Sequence, residues 1–132
     1  MIKVYNDIIP TDGFLAMTLY PWIFINNDEK DKFDKTAERH ENTHGLQQIE
    51  TTLLGALIAF ILFLVGCGWY SLIAVGLFFE IYLLEYLIKF LLTSNAYRSI
   101  SFEQEAYDHE DEVYYNEVRK HFAWVKYIFK LK

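Results

Sequence analysis

Residues 51–92 read TTLLGALIAFILFLVGCGWYSLIAVGLFFEIYLLEYLIKFLL, and the first 29 of them, residues 51–79, carry no formal charge. A run of about 20 apolar residues is long enough to cross a bilayer. The run is interrupted at Gly66-Cys67-Gly68, where glycine's conformational freedom favours a bend over one long rod. Two helices, residues 46–65 and 69–92, are therefore expected to form a hairpin. All 12 Lys and Arg except Lys89 lie in the flanks. By the positive-inside rule both flanks would then face the cytoplasm, with the hairpin in the membrane. The alternative is a cytoplasmic soluble protein whose two long helices form its core. In that case Glu80, Glu85 and Lys89 must find polar partners, since charges inside an apolar helix are costly unless paired.

Outward from the apolar run, the N-terminal side carries short β-like stretches, residues 2–5, 15–20 and 22–25, separated by the turn signals Pro10 and Asp12-Gly13. A small β-hairpin or edge sheet over residues 1–35 is expected, closed by a polar loop over residues 26–35. From Thr36 a helix can begin, with Glu38 where the helix dipole favours an acid. On the C-terminal side Thr93-Ser94-Asn95 ends the hairpin, and Ser101 with Gln104 three residues later reads as a capping box. A last amphipathic helix is expected over residues 113–129, with Val118, Phe122, Val125 and Phe129 on one face. The 132 residues amount to one domain, mostly α in an α+β arrangement: the β region, residues 36–92 running into the apolar hairpin, and residues 93–132.

The helix opening near Thr36 carries His40-Glu41-Asn42-Thr43-His44. Residues four apart share a helix face, so both imidazoles can address one metal ion. Glu41 is rotated by about 100° and can serve a metal-activated water as general base without taking a ligand position. Such a zinc site needs a third protein ligand and an open position. Cys67 is the single cysteine, which excludes an internal disulfide and a Cys-based zinc finger. No further His occurs before His109, so a glutamate from another helix remains as third ligand. Glu103 and Glu105 are the candidates. About 200° of helical rotation separates them, so only one can face the histidine pair. Glu103 shares a face with Ala106, Tyr107 and Glu110.

In these residues the chain resembles the gluzincins, the zinc-peptidase class of thermolysin and the membrane-embedded CAAX prenyl proteases. Their third ligand is a helical Glu followed three residues later by a small residue. In Ser101-Phe102-Glu103-Gln104-Glu105-Ala106-Tyr107-Asp108 that frame implies Glu103 as ligand and Ala106 as the small residue. Tyr107 departs from it, standing where the class usually has Asp. The chain is also similar to small zinc-peptidase-like proteins of bacteria and phages. They share a His-Glu-x-x-His-x-x-Gln-Gln helix, a Glu-Tyr-Leu-Ile segment and an Ala-Tyr-Arg-x-Ile-x-Phe-Glu-x-Glu-Ala-Tyr block. Here these are residues 40–48, 85–88 and 96–107. The resemblance implies a minimal zincin-like domain and a zinc metallopeptidase acting on a peptide or protein substrate, membrane-associated in some cases. His40, His44 and Glu103 would hold zinc and Glu41 would be the general base. Tyr107, Tyr97 and Arg98 are candidates to stabilise an oxyanion, and Gln48 to hydrogen-bond the ligands. His109 and His121, in charged segments, read as surface residues.

The reading from a different class is a non-catalytic membrane hairpin protein with a structural zinc or no metal. With 18 Asp and Glu against 12 Lys and Arg, no basic stripe interleaved with aromatics precedes the last dozen residues, so nucleic acid is not an expected partner. Residues 1–10 lack a basic start followed by an apolar run, and a cleaved signal peptide is not expected.

Overall fold

The computed structural model describes residues 1–11 and 13–132. Asp12, half of the expected Asp12-Gly13 turn, lies outside the described residues. The chain is mostly helical, with a small three-stranded sheet. It divides into two compact units: Met1–Leu46 with Glu105–Lys120, and Gln47–Gln104 with His121–Lys132.

In the first unit β1 (Ile2–Asn6), β2 (Ala16–Leu19) and β3 (Trp22–Asn26) form a sheet in the order β1-β3-β2. The expected hairpin is β2–β3, antiparallel across the two-residue turn Tyr20-Pro21, and β1 joins β3 in parallel. Ile23 and Ile25, on one face of the central strand, are fully buried. Thr18 pairs with Ile23 and shares that face, as the two-residue side-chain period requires. Helix α1 (Lys35–Leu62) starts one residue before Thr36, because Asp34 is the cap: its carboxylate accepts from the Ala37 backbone N–H at 2.9 Å. Residues 27–32, expected as loop, form a 3-10 turn capped by the Asn26 side chain, which accepts from Asp28 N.

In the second unit α1 ends at Leu62, a wide turn follows over Phe63–Cys67, and the chain reverses at Gly66, whose φ of 95° a residue with a Cβ rarely adopts. The return arm is a 3-10 segment, Gly68–Gly76, followed by α2 (Leu77–Leu92), so the expected second helix is α only over its second part. Hydropathy does not distinguish the two helix types. The arms approach closely at Gly55, where a Cβ would fall on the Ala74 carbonyl oxygen. Residues 35–92 contain a stretch long and apolar enough to cross a membrane, and 17% of its most apolar 18-residue window is buried. Phe60, Leu64, Trp69, Tyr70, Leu83 and Leu91 are all exposed. The buried core of this unit lies at the other end, where Phe78 meets Ile100, Phe102 and Trp124.

After α2 come the single turn α3 (Ala96–Ser99) and helix α4 (Ser101–His109). The expected capping box does not form. Ser101 donates its backbone N–H and hydroxyl to Glu85, at 2.7 and 2.5 Å, while Gln104 donates to the Ser99 and Lys130 carbonyls. The amphipathic helix expected over residues 113–129 is also absent: α5 (Tyr115–Val118) is one turn, and residues 123–127 are 3-10. Tertiary partners override the periodicity. Glu105 takes the Arg119 guanidinium at 2.8 Å, and Glu50 takes the Phe122 N–H at 3.0 Å with Phe122 left-handed at φ 55°. The buried residues here are Trp124 and Tyr127, whereas Val118 and Phe129 are exposed.

Candidate metal centre

His40 and His44 lie one turn apart on α1, both buried, and their Nε2 atoms face each other at 3.1 Å. On the far side of its ring His40 places Nδ1 2.9 Å from Glu110 Oε2. A proton on Nδ1, donated to that carboxylate, leaves Nε2 as a lone pair pointing at His44, which is the tautomer a metal ligand needs. The segment carrying Glu110 is clamped to α1. Arg39 Nε donates to the Glu110 carbonyl at 2.6 Å, Asn116 Nδ2 to the Arg39 carbonyl at 3.0 Å, and Thr43 Oγ1 to Asn116 Oδ1 at 2.8 Å. The Tyr107 ring stands edge-on against His40, centroids 4.5 Å apart. Glu41 is buried, and Thr18 on the edge strand β2 donates to its Oε2 at 2.8 Å and to its carbonyl at 3.0 Å. None of the described residues hydrogen-bonds Glu41 Oε1.

Glu103, in the first turn of α4 and 3% exposed, accepts from the Tyr82 hydroxyl through Oε1 at 2.9 Å. His40, His44 and Glu103 each offer one ligand atom within 4.8 Å of the others, so this buried group could hold a metal ion. The donor set fits one. Two nitrogens bound tetrahedrally to zinc at about 2.0–2.1 Å stand roughly 3.3 Å apart, close to the 3.1 Å between the imidazoles. Two imidazoles with a carboxylate suit zinc and other first-row divalent ions alike.

Glu105, the competing carboxylate, is fully buried and engaged elsewhere: Arg119 Nε and Nη2 donate to it at 2.8 and 3.2 Å, and the Tyr115 hydroxyl at 2.8 Å. Burial first, then the bond to Glu105, pushes the Tyr115 hydroxyl far above its ordinary pKa, so it remains a neutral donor. Ala106 is fully buried, and Gln48 is buried on α1. Tyr97 packs against the Phe78–Phe102 cluster, and Arg98 is exposed. Cys67 is exposed at the bend. His121 is exposed beside Glu50, while His109 is half-buried, stacked on Tyr115 with centroids 3.8 Å apart.

The sequence reading missed Thr18, Tyr82 and Gln47, whose Nε2 donates to the Phe102 carbonyl at 3.1 Å. Nothing in a lone strand threonine marks it. Glu110 was partly legible, since it shares a helical face with Glu103. No protein-family model matches the chain, and neither a curated protein nor a solved structure shows significant similarity to it.

Proposed function

We propose that the chain is a gluzincin-like zinc metallopeptidase. The observation that carries the reading is the buried group of two facing imidazoles and the Glu103 carboxylate, with a second buried carboxylate, Glu41, next in sequence to one of the imidazoles. His40, His44 and Glu103 would hold the ion, which when bound supplies a Lewis acid and lowers the pKa of water toward 7. Glu110 fixes the His40 ring. Thr18 holds one oxygen of Glu41, which leaves Oε1 to take the proton from the attacking water and return it to the leaving amine. Tyr107, beside His40, is the nearby donor for charge developing on the carbonyl oxygen. Strand β2 is an edge of the sheet and contacts Glu41 through Thr18, so an extended peptide added along β2 would arrive beside the base.

The exposed apolar hairpin supports a membrane-embedded form of this enzyme, with the flanks on the cytoplasmic side. Soluble monomers rarely expose so much contiguous apolar surface. The two buried charges of α2 meet polar partners, as an apolar environment demands: Lys89 donates to Glu85 at 2.8 Å. A substrate anchored in or presented at a membrane suits that placement.

One observation favours the alternative of a structural clamp: Thr18 ties Glu41 to the sheet, which would suffice to explain a buried glutamate there. Glu41→Gln separates the two. The peptidase reading expects purified Glu41→Gln to retain its fold and bound zinc and to lose peptide hydrolysis by at least about a hundredfold. It expects His40→Ala to lose the metal. Wild-type protein without bound zinc, or undiminished hydrolysis by Glu41→Gln, would refute it.

A further inference from the structure

We infer that Glu85 and Lys89 are positioning residues for Glu103, a buried ion pair that fixes the junction of α3 and α4 and so sets where the third carboxylate stands. The inference rests on the metal-centre reading above. Glu85 and Lys89 are 8% and 3% exposed on a helix whose neighbouring side chains, Leu83, Leu84, Leu87, Ile88 and Phe90, are all exposed. Their heads end at the junction. Glu85 Oε2 accepts from Ser101 N at 2.7 Å and Oε1 from Ser101 Oγ at 2.5 Å, while Lys89 Nζ bonds Glu85 Oε2 and the Ser99 carbonyl. Between them Ile100 is extended, at φ −57° and ψ 134°, and breaks the helix.

The charges are matched to the backbone they meet. An anion sits on the Ser101 N–H that opens α4, and a cation on the Ser99 carbonyl that closes α3. Glu103 lies two residues beyond Ser101, inside the turn so anchored. The same face of α2 carries Tyr82, three residues before Glu85, and its hydroxyl donates to Glu103 Oε1 itself. Tyr82, Glu85 and Lys89 thus touch Glu103, Ser101 and Ser99 in turn. This stripe fixes both the start of α4 and the direction of its ligand. Packing alone would not require charges, because a buried ion pair can often be replaced by apolar residues of similar volume without loss of stability.

That replacement is the test. Full-length Glu85→Leu/Lys89→Met in detergent is compared with the wild type for helical circular dichroism, thermal unfolding, and zinc affinity by competition with a chromogenic chelator. The expected result is retained helicity and melting temperature with zinc bound at least about tenfold more weakly, the usual cost of losing the groups that orient ligands. Glu85→Gln, which keeps an acceptor for Ser101, should recover part of the loss. A folded double variant with wild-type zinc affinity overturns the inference. If the double variant does not fold, the near-isosteric Glu85→Gln decides: affinity below wild type supports the inference and wild-type affinity overturns it. Wild-type protein that binds no zinc would instead defeat the metal-centre reading, a distinguishable outcome.

Discussion

Replacing Arg119 by Met separates the two carboxylates that compete for the role of third ligand. Glu105 is fully buried, and the Arg119 side chain is 4% exposed. The substitution keeps the length of the aliphatic stem and removes two charge-assisted hydrogen bonds, at 2.8 and 3.2 Å. At about 1.5–3 kcal/mol each these amount to roughly 3–6 kcal/mol. Breaking a buried ion pair by deleting one partner costs about 3–5 kcal/mol, since it leaves a buried charge without its counter-charge. A loss of about 3–5 kcal/mol is therefore expected in urea unfolding followed by circular dichroism. Adding Glu105→Leu should return most of it, because the stranded charge goes with the carboxylate. On the proposed ligand set of His40, His44 and Glu103, zinc content under folding conditions should equal that of the wild type throughout. Arg119→Met within about 1 kcal/mol of wild type would refute the assignment of Glu105 to the guanidinium. A well-folded double variant that has lost its zinc would refute the choice of Glu103.

At the close approach of the hairpin arms, Gly55→Ala should lower stability by about 1–3 kcal/mol, as inserting a methyl group into a packed contact does, because the new Cβ meets the Ala74 carbonyl. Thermal unfolding in detergent checks this, and a Gly55→Ala protein that melts with the wild type would show that the arms are not in register there. At the sheet, Lys3 Nζ lies 3.0 Å from Glu38 Oε1 and Lys35 Nζ 3.1 Å from Oε2. The hydrogen bond from Lys3, foremost, holds the Glu38 pKa below its ordinary 4.5. A lowered folded-state pKa means stability present above pH 4.5 and lost as the pH falls through the folded value. Glu38→Gln should thus be less stable than wild type at pH 7, by less than about 1 kcal/mol, with the gap closing as the pH falls below 4.5 and through the lowered folded-state value; a pH-independent gap would contradict the linkage.

Local patterns carried as far as local physics reaches. The four-residue spacing of His40 and His44 puts two imidazoles on one helix face whatever surrounds them, and the glycines of the bend placed the reversal of the apolar run. The choice of Glu103 over Glu105 came from the face it shares with Ala106, Tyr107 and Glu110 and from the gluzincin frame, not from any sign of what Glu105 does instead. Which one faces the histidines depends on Arg119, fourteen residues further on, and no periodicity encodes that pairing. The same holds for the two failed expectations. Ser101 and Gln104 have the spacing of a capping box, but Glu85, sixteen residues upstream, supplies a stronger acceptor. Residues 113–129 have a helical stripe, but the bonds of Arg119 to Glu105 and of Phe122 to Glu50 hold the chain off a continuous helix. Sequence motifs recorded chemistry along one element, and the side chains that orient it came from others.

Helix α1 is unbroken from Lys35 to Leu62, so no hinge separates the two histidines from the apolar arm that continues the same rod. Whatever grips the exposed apolar surface of that helix, lipid included, therefore grips the same element that carries His40 and His44.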